Sequence, residues 1–132
     1  MTSVNKVILV GNLGSDPERR AFSNGSSIVT LSVATSEKRK ARGSTEYQEF
    51  TEWHKVRLTD ELARMAMREL HTGDGVYIEG ILRHSKYTDR STDTDRYVTY
   101  VQAKAIQKLA GTPRQHHHDS HADDGYGDYT QY

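Results

Sequence analysis

Apolar and polar residues alternate with a period of two along much of this chain, the pattern of strands that bury one face. Residues 4–13 (VNKVILVGNL) form an apolar strand, with Lys6 on the opposite parity from Val7 and Leu9. In residues 28–35, Val29, Leu31 and Val33 alternate against Thr30, Ser32 and Ala34. In residues 51–58, Val56 and Leu58 point to the core and Trp53, Lys55 and Arg57 to the other side, with His54 at the boundary. Residues 76–83 and 96–108 read as two more strands, and Gly80 inside the former marks a bend or a close backbone approach. Residues 18–22 make a short extended piece that runs into Asn24-Gly25, a strong hairpin signal.

The period changes to that of a helix once, over residues 59–71. Leu62, Met65, Ala66 and Leu70 make its apolar stripe, Thr59 stands at its start and Gly73 beyond its end. The polar stretches 37–50 and 84–95 read as long hairpin loops. Five strands with one helix between the third and fourth is the connectivity of an OB-fold barrel, an all-β domain with one helix. A five-stranded α+β sheet that does not close is the alternative. Residues 1–110 are the expected domain. Residues 111–132 have almost no aliphatic side chains and cannot offset their own ordering entropy, so they are expected to be a disordered tail.

Composition narrows the function. The formal net charge is zero, but residues 1–110 hold 17 Lys/Arg and 14 Asp/Glu, a net of +3, and residues 111–132 hold Arg114 against four Asp, a net of −3. A basic body with an acidic tail fits a nucleic-acid binder. There is no Cys, which rules out disulfides and thiolate metal sites. No apolar run approaches the length of a membrane span, and the first residues carry no secretory signal, so a cytoplasmic, nucleoid-associated protein is expected. Gly11-Asn-Leu-Gly14 matches neither common phosphate-loop spacing. No nucleophile motif, carboxylate pair or His set has a recognisable catalytic spacing. The expected protein is not an enzyme and needs no cofactor. His116, His117, His118 and His121 could take up a transition metal in vitro, but a flexible tail does not preset geometry, so no specific metal site is expected.

The strand 51–58 carries the sharpest chemistry. An indole followed by two cations on one exposed strip suits a single strand of nucleic acid, because a base stacks on the ring while the cations hold phosphates. Burying Trp53 as core would bury Lys55 and Arg57 with it, and unpaired charges stay out of cores. The cations Lys38, Arg39, Lys40 and Arg42 precede this strand and would form an electrostatic finger at the tip of the hairpin leading into it. Lys86, Tyr87 and Arg90 lie in the second long loop.

These residues resemble the bacterial single-stranded DNA-binding proteins over about residues 3–108. The likeness rests on VNKVILVGNLG from Val4, Asp16-Pro17, Asn24-Gly25, Ala34-Thr-Ser36, Thr51-Glu-Trp-His54, Val76-Tyr-Ile-Glu-Gly80, Tyr87-Thr-Asp89 and Asp95-Arg-Tyr97. The resemblance implies an OB barrel that assembles as a homotetramer, wraps single-stranded DNA and acts in replication, recombination and repair. It makes Trp53 a stacking residue and puts Tyr87 where the family usually has another tryptophan. Lys6, Arg20 and Lys55 keep basic positions, and His54 matches a histidine near the subunit contact. Two platforms are replaced: Arg39 and Thr59 stand where aromatics are common. With Arg39, Arg57 and Lys86 added as phosphate contacts, binding is expected to be more salt-sensitive than is typical. The tail ends Gly127-Asp-Tyr-Thr-Gln-Tyr132 without the usual hydrophobic Pro-Phe ending, which weakens the case for recruiting replication and repair proteins. Another reading of the same fold is a primosome-like protein-interaction adaptor, and binding of RNA is a third.

Overall fold

The computed structural model describes residues 1–110; the tail and its histidines lie outside the described residues. Its elements run β1 (Val7–Leu13), β2 (Glu18–Ala21), β3 (Ser27–Lys40), β4 (Tyr47–Thr59), α1 (Asp60–Glu69), β5 (Gly75–Asp89) and β6 (Thr94–Ala110). The strands lie in the order β1-β5-β6-β4-β3-β2, and an additional β1–β3 pairing closes the ring. The closed barrel therefore contains β1, β3, β4, β5 and β6, with β2 attached outside β3. This is the five-stranded OB barrel expected from the strand order, and the open sheet is not formed. The extended piece at residues 18–22 is a sixth, short strand paired to β3 alone.

The alternating residues fill the barrel as their parity requires. Val29, Leu31, Val33, Val56, Leu58, Val76 and Ile78 are all essentially inaccessible to solvent. Helix α1 adds Ala63, Ala66 and Leu70 to the same core, with Leu62 and Met65 partly buried against it. Ala63 was not in the expected stripe, yet its small side chain lets the helix sit close. Thr59 occupies the N-cap position but makes no side-chain cap bond, and the helix ends at Glu69, two residues before the expected limit. Asp74 is buried and closes that end, its carboxylate accepting the backbone N–H of His71 at 2.8 Å.

The bend expected at Gly80 is present. The β5–β6 ladder shifts register there, with Glu79 opposite Ala105 but Gly80 opposite Ala103. A Cβ on Gly80 would lie 2.3 Å from the carbonyl oxygen of Gln102, so only glycine permits the approach that curls the sheet.

The two long loops are corrected by the structure. Residues 37–40 and 47–50 extend the β3–β4 ladder, and residues 84–89 and 94–95 extend β5–β6. Each is a projecting hairpin arm with only a short turn at its tip. Both arms are mostly polar and bury no side chain, so they lack the alternation that marks a buried strand. Cross-strand pairs hold them instead: Lys38 stands opposite Glu49, and Lys86 bonds Asp95 at 3.2 Å.

Candidate nucleic-acid interface

β4 builds the site. Because Val56 and Leu58 are buried, the pleat sends Trp53, Lys55 and Arg57 to the outer face. Trp53 is 60 % exposed, Lys55 is exposed and Arg57 is half-buried. Across the ladder stand Ala34, Ser32 and Thr30 respectively, all short side chains that leave the indole standing clear.

Gly14 supports that ring. A Cβ at Gly14 would fall 2.4 Å from Cζ3 and 2.7 Å from Cη2 of Trp53. The Gly14 N–H donates to the carbonyl of Ser32 at 2.9 Å, fixing the turn after β1 beneath the indole. Part of the ring rests on backbone while the rest faces solvent, the arrangement a stacking platform needs.

β2 widens the face. Its ladder to β3 sets Glu18 opposite Thr30 and Arg20 opposite Ile28, and these pair onward to Arg57 and Thr59 of β4. Arg20 and Lys55 form no ion pair among the described residues, so their charge is available to an anion. Arg57 instead lies over the ring of Tyr100 from β6, 4.0 Å from its centroid. Trp53, Lys55 and Arg57 share the outer face that their parity predicts, and β2 brings Arg20 beside them.

The remaining candidates are dispersed. Lys6 precedes β1 at the end far from Asn12, which pairs with Ala34, a separation of about 20 Å along the strand. Its ammonium approaches Glu79 at 4.0 Å. Arg39 shares its ribbon face with Glu37 and Phe50 by register, not with Thr51 and Trp53. Its guanidinium is 3.2 Å from Glu37 and 3.9 Å from the Phe50 centroid. Lys38 and Lys40 are the finger cations on the Trp53 parity, Lys38 opposite Glu49 and Lys40 5.4 Å from the centroid of Tyr47. Lys86 and Tyr87 are consecutive on β5 and so project to opposite faces of the second arm. Tyr87 is 55 % exposed. His54 bonds Thr35 Oγ1 through Nε2 at 2.8 Å on the inward parity, away from Trp53.

Tyr100, Phe22 and Gly14 belong to this face and were not anticipated. Outward parity on the last strand was the available signal for Tyr100; the other two depend on contacts between strands. Among the described residues, no group of three or more His, Cys, Asp or Glu is placed to hold a metal. No described helix is long and apolar enough to cross a membrane.

The model of the single-strand binding protein family matches residues 4–109. The chain belongs to that family. Among solved structures, it is similar to a Plasmodium falciparum single-stranded DNA-binding protein in complex with single-stranded DNA, at 24 % identity and a TM-score of 0.73, covering 83 % of this chain and 97 % of that one. It is also similar to a deletion mutant of the single-stranded DNA-binding protein from Thermus aquaticus, at 26 % identity and a TM-score of 0.69, covering 84 % of this chain and 53 % of that one. The first likeness bears on the fold.

Proposed function

We propose that this protein binds single-stranded DNA without sequence preference and protects strands opened in replication, recombination and repair. The observation that carries this is Trp53, exposed on a rigid barrel strand with Lys55 and Arg57 on its own face. Stacking accepts every base, so little base discrimination follows. Arg20 and Arg57 hold phosphates beside it, while Tyr87, Lys86, Arg39 and Lys6 make outlying contacts as the strand is wrapped. Family membership favours this reading over the adaptor.

The protein acts by binding and catalyses nothing, with no cofactor. Assembly as a homotetramer is supported by the resemblance and by Ile8 and Val10 of β1, which are about half exposed and form an apolar row left uncovered by the described residues. Recruitment of other proteins would fall to residues 111–132.

The test is a titration of Trp53 fluorescence with oligo-dT and with duplex DNA at two salt concentrations. Trp53 is the only tryptophan, so quenching reports on the strip alone. Quenching by oligo-dT only, weakened by salt, is expected; absence of quenching by either would give the adaptor reading the lead. Sedimentation equilibrium tests the tetramer.

A further inference from the structure

The outer face carries a second aromatic platform beyond Trp53. Phe22 follows β2 on the turn into β3, and its side chain is 42 % exposed. The turn is tightly held. The Phe22 N–H donates to the Ser26 carbonyl at 2.8 Å, and the Phe22 carbonyl accepts from Gly25 N–H at 3.0 Å. Asn24 Oδ1 accepts both the N–H and the hydroxyl of Ser26, at 3.0 and 2.7 Å. A large apolar ring is therefore kept in water by a fixed hairpin, with no core contact to explain it.

Phe22 lines a depression of about 540 Å³ together with Arg20, Lys55 and Arg57, and Glu18 is its one acid. A smaller depression of about 280 Å³ lies beside Trp53, and the two share Glu18, Thr30 and Lys55. The groove is continuous. Arg57 stands four residues from Trp53 on β4, about 13 Å away, so a bound strand has room to continue past the indole. Its guanidinium is seated on the Tyr100 ring, which restrains it while its planar fork keeps N–H donors for a phosphate. Four cations, Arg19 with Arg20, Lys55 and Arg57, line the depression that holds the exposed ring and suit a nucleotide better than an apolar peptide.

We propose that this depression is a second nucleotide subsite, in which a base stacks on Phe22 and the adjoining phosphate is held by Arg20 and Arg57. Tyr100 is a positioning residue that keeps Arg57 extended over the groove. The subsite rests on the reading that a single strand of DNA crosses Trp53, and it adds a second stacked base to that path. Glu18 opposes the phosphate and weakens binding there.

The experiment uses the full chain carrying Phe22→Trp and Trp53→Phe, which moves the sole tryptophan into the depression. Titration with oligo-dT long enough to pass both positions should quench its emission. In the otherwise unchanged protein, Phe22→Ala should weaken oligo-dT binding about tenfold while Trp53 is still quenched at saturation. Glu18→Gln should tighten binding, and far-ultraviolet circular dichroism checks that each variant is folded. Quenching of Trp53 in the unaltered protein, with no change in emission from the Phe22→Trp variant at saturation, would overturn the subsite and leave the Trp53 reading standing. An affinity of Phe22→Ala within twofold of the unaltered protein would overturn it equally, without requiring the tryptophan variant to fold. Absence of Trp53 quenching in the unaltered protein would remove both readings together.

Discussion

The barrel and its two arms pair their strands by different means. In the barrel, every ladder has a buried row behind it, such as Val29, Leu31 and Val33 of β3 against Val56 and Leu58 of β4. Past Val33 on β3 and Gly80 on β5, no residue of either strand is buried. There the register is held by surface pairs: Lys86 with Asp95 at 3.2 Å, Arg96 with Asp89 at 3.6 Å, and Arg39 on Phe50. Pairs of this kind contribute little each, so the arms belong to the low-stability end of the molecule. The barrel presents Trp53 and Lys55 from β4, and β2 adds Arg20 beside them through its ladder to β3. The arms carry Tyr87, Lys86 and Arg39 on ribbons with no buried row behind them.

The largest test of this difference is in stability. Leu58→Ala in the barrel should cost about 2–5 kcal/mol, whereas Tyr87→Ala on the arm should change stability by less than about 0.5 kcal/mol. Urea unfolding of both variants measures it; a comparable loss from Tyr87→Ala would mean that the arm is part of the cooperative core. Affinity comes next. Trp53→Ala should weaken oligo-dT binding by about 1–3 kcal/mol, and Tyr87→Ala by the lower end of that range. Gly14→Ala tests preorganisation separately, because it forces the indole away without removing it. Weaker binding with the urea midpoint nearly unchanged is expected.

Salt dependence sharpens the contrast among the cations. Each phosphate neutralised on a single strand adds about 0.7 to the slope of log affinity against log salt. Lys55→Gln should remove about that much, since Lys55 has no acidic partner among the described residues. Lys86→Gln should remove less, because Asp95 already neutralises Lys86. Equal slope changes would show that DNA displaces the Asp95 contact completely.

What the sequence could reveal follows the same division. The alternation at Val29–Leu31–Val33 and Val56–Leu58 reports burial directly, so the barrel strands, the helix and the exposure of Trp53 were all legible. The arms read as loops because Glu37–Lys40 and His84–Asp89 are mostly polar and bury no residue, leaving little for a period-two pattern to show. The cationic finger and the family position both make Arg39 a candidate phosphate contact, but facing depends on register, and the ladder sets Arg39 on the face of Glu37 and Phe50. Phe22 meets the outer face from the turn after β2 and Tyr100 from β6, a juxtaposition set by strand pairing and not by closeness in the chain.

The smallest expected effect concerns acid. Asp16 Oδ1 accepts the backbone N–H and the hydroxyl of Thr72, at 2.8 and 2.7 Å, tying the turn that contains Gly14 to the turn after α1. These donors hold the Asp16 carboxyl below its ordinary value. The unfolded chain has that ordinary value, about 3.9, so between the two values the unfolded state binds more protons. The contribution is therefore complete above about pH 4 and is lost as the pH falls through the folded value. Asp16→Asn should flatten the acid side of the stability curve slightly, read as urea midpoints at pH 7 and pH 3. Asp89 is lowered in the same way by Ser91, but on an arm. Asp89→Asn should leave the global midpoint's pH dependence unchanged, since the arm opens without the barrel. Equal flattening by the two variants would show arm and barrel unfolding as one unit, and the distinction between a barrel with a buried row and arms without one would fail.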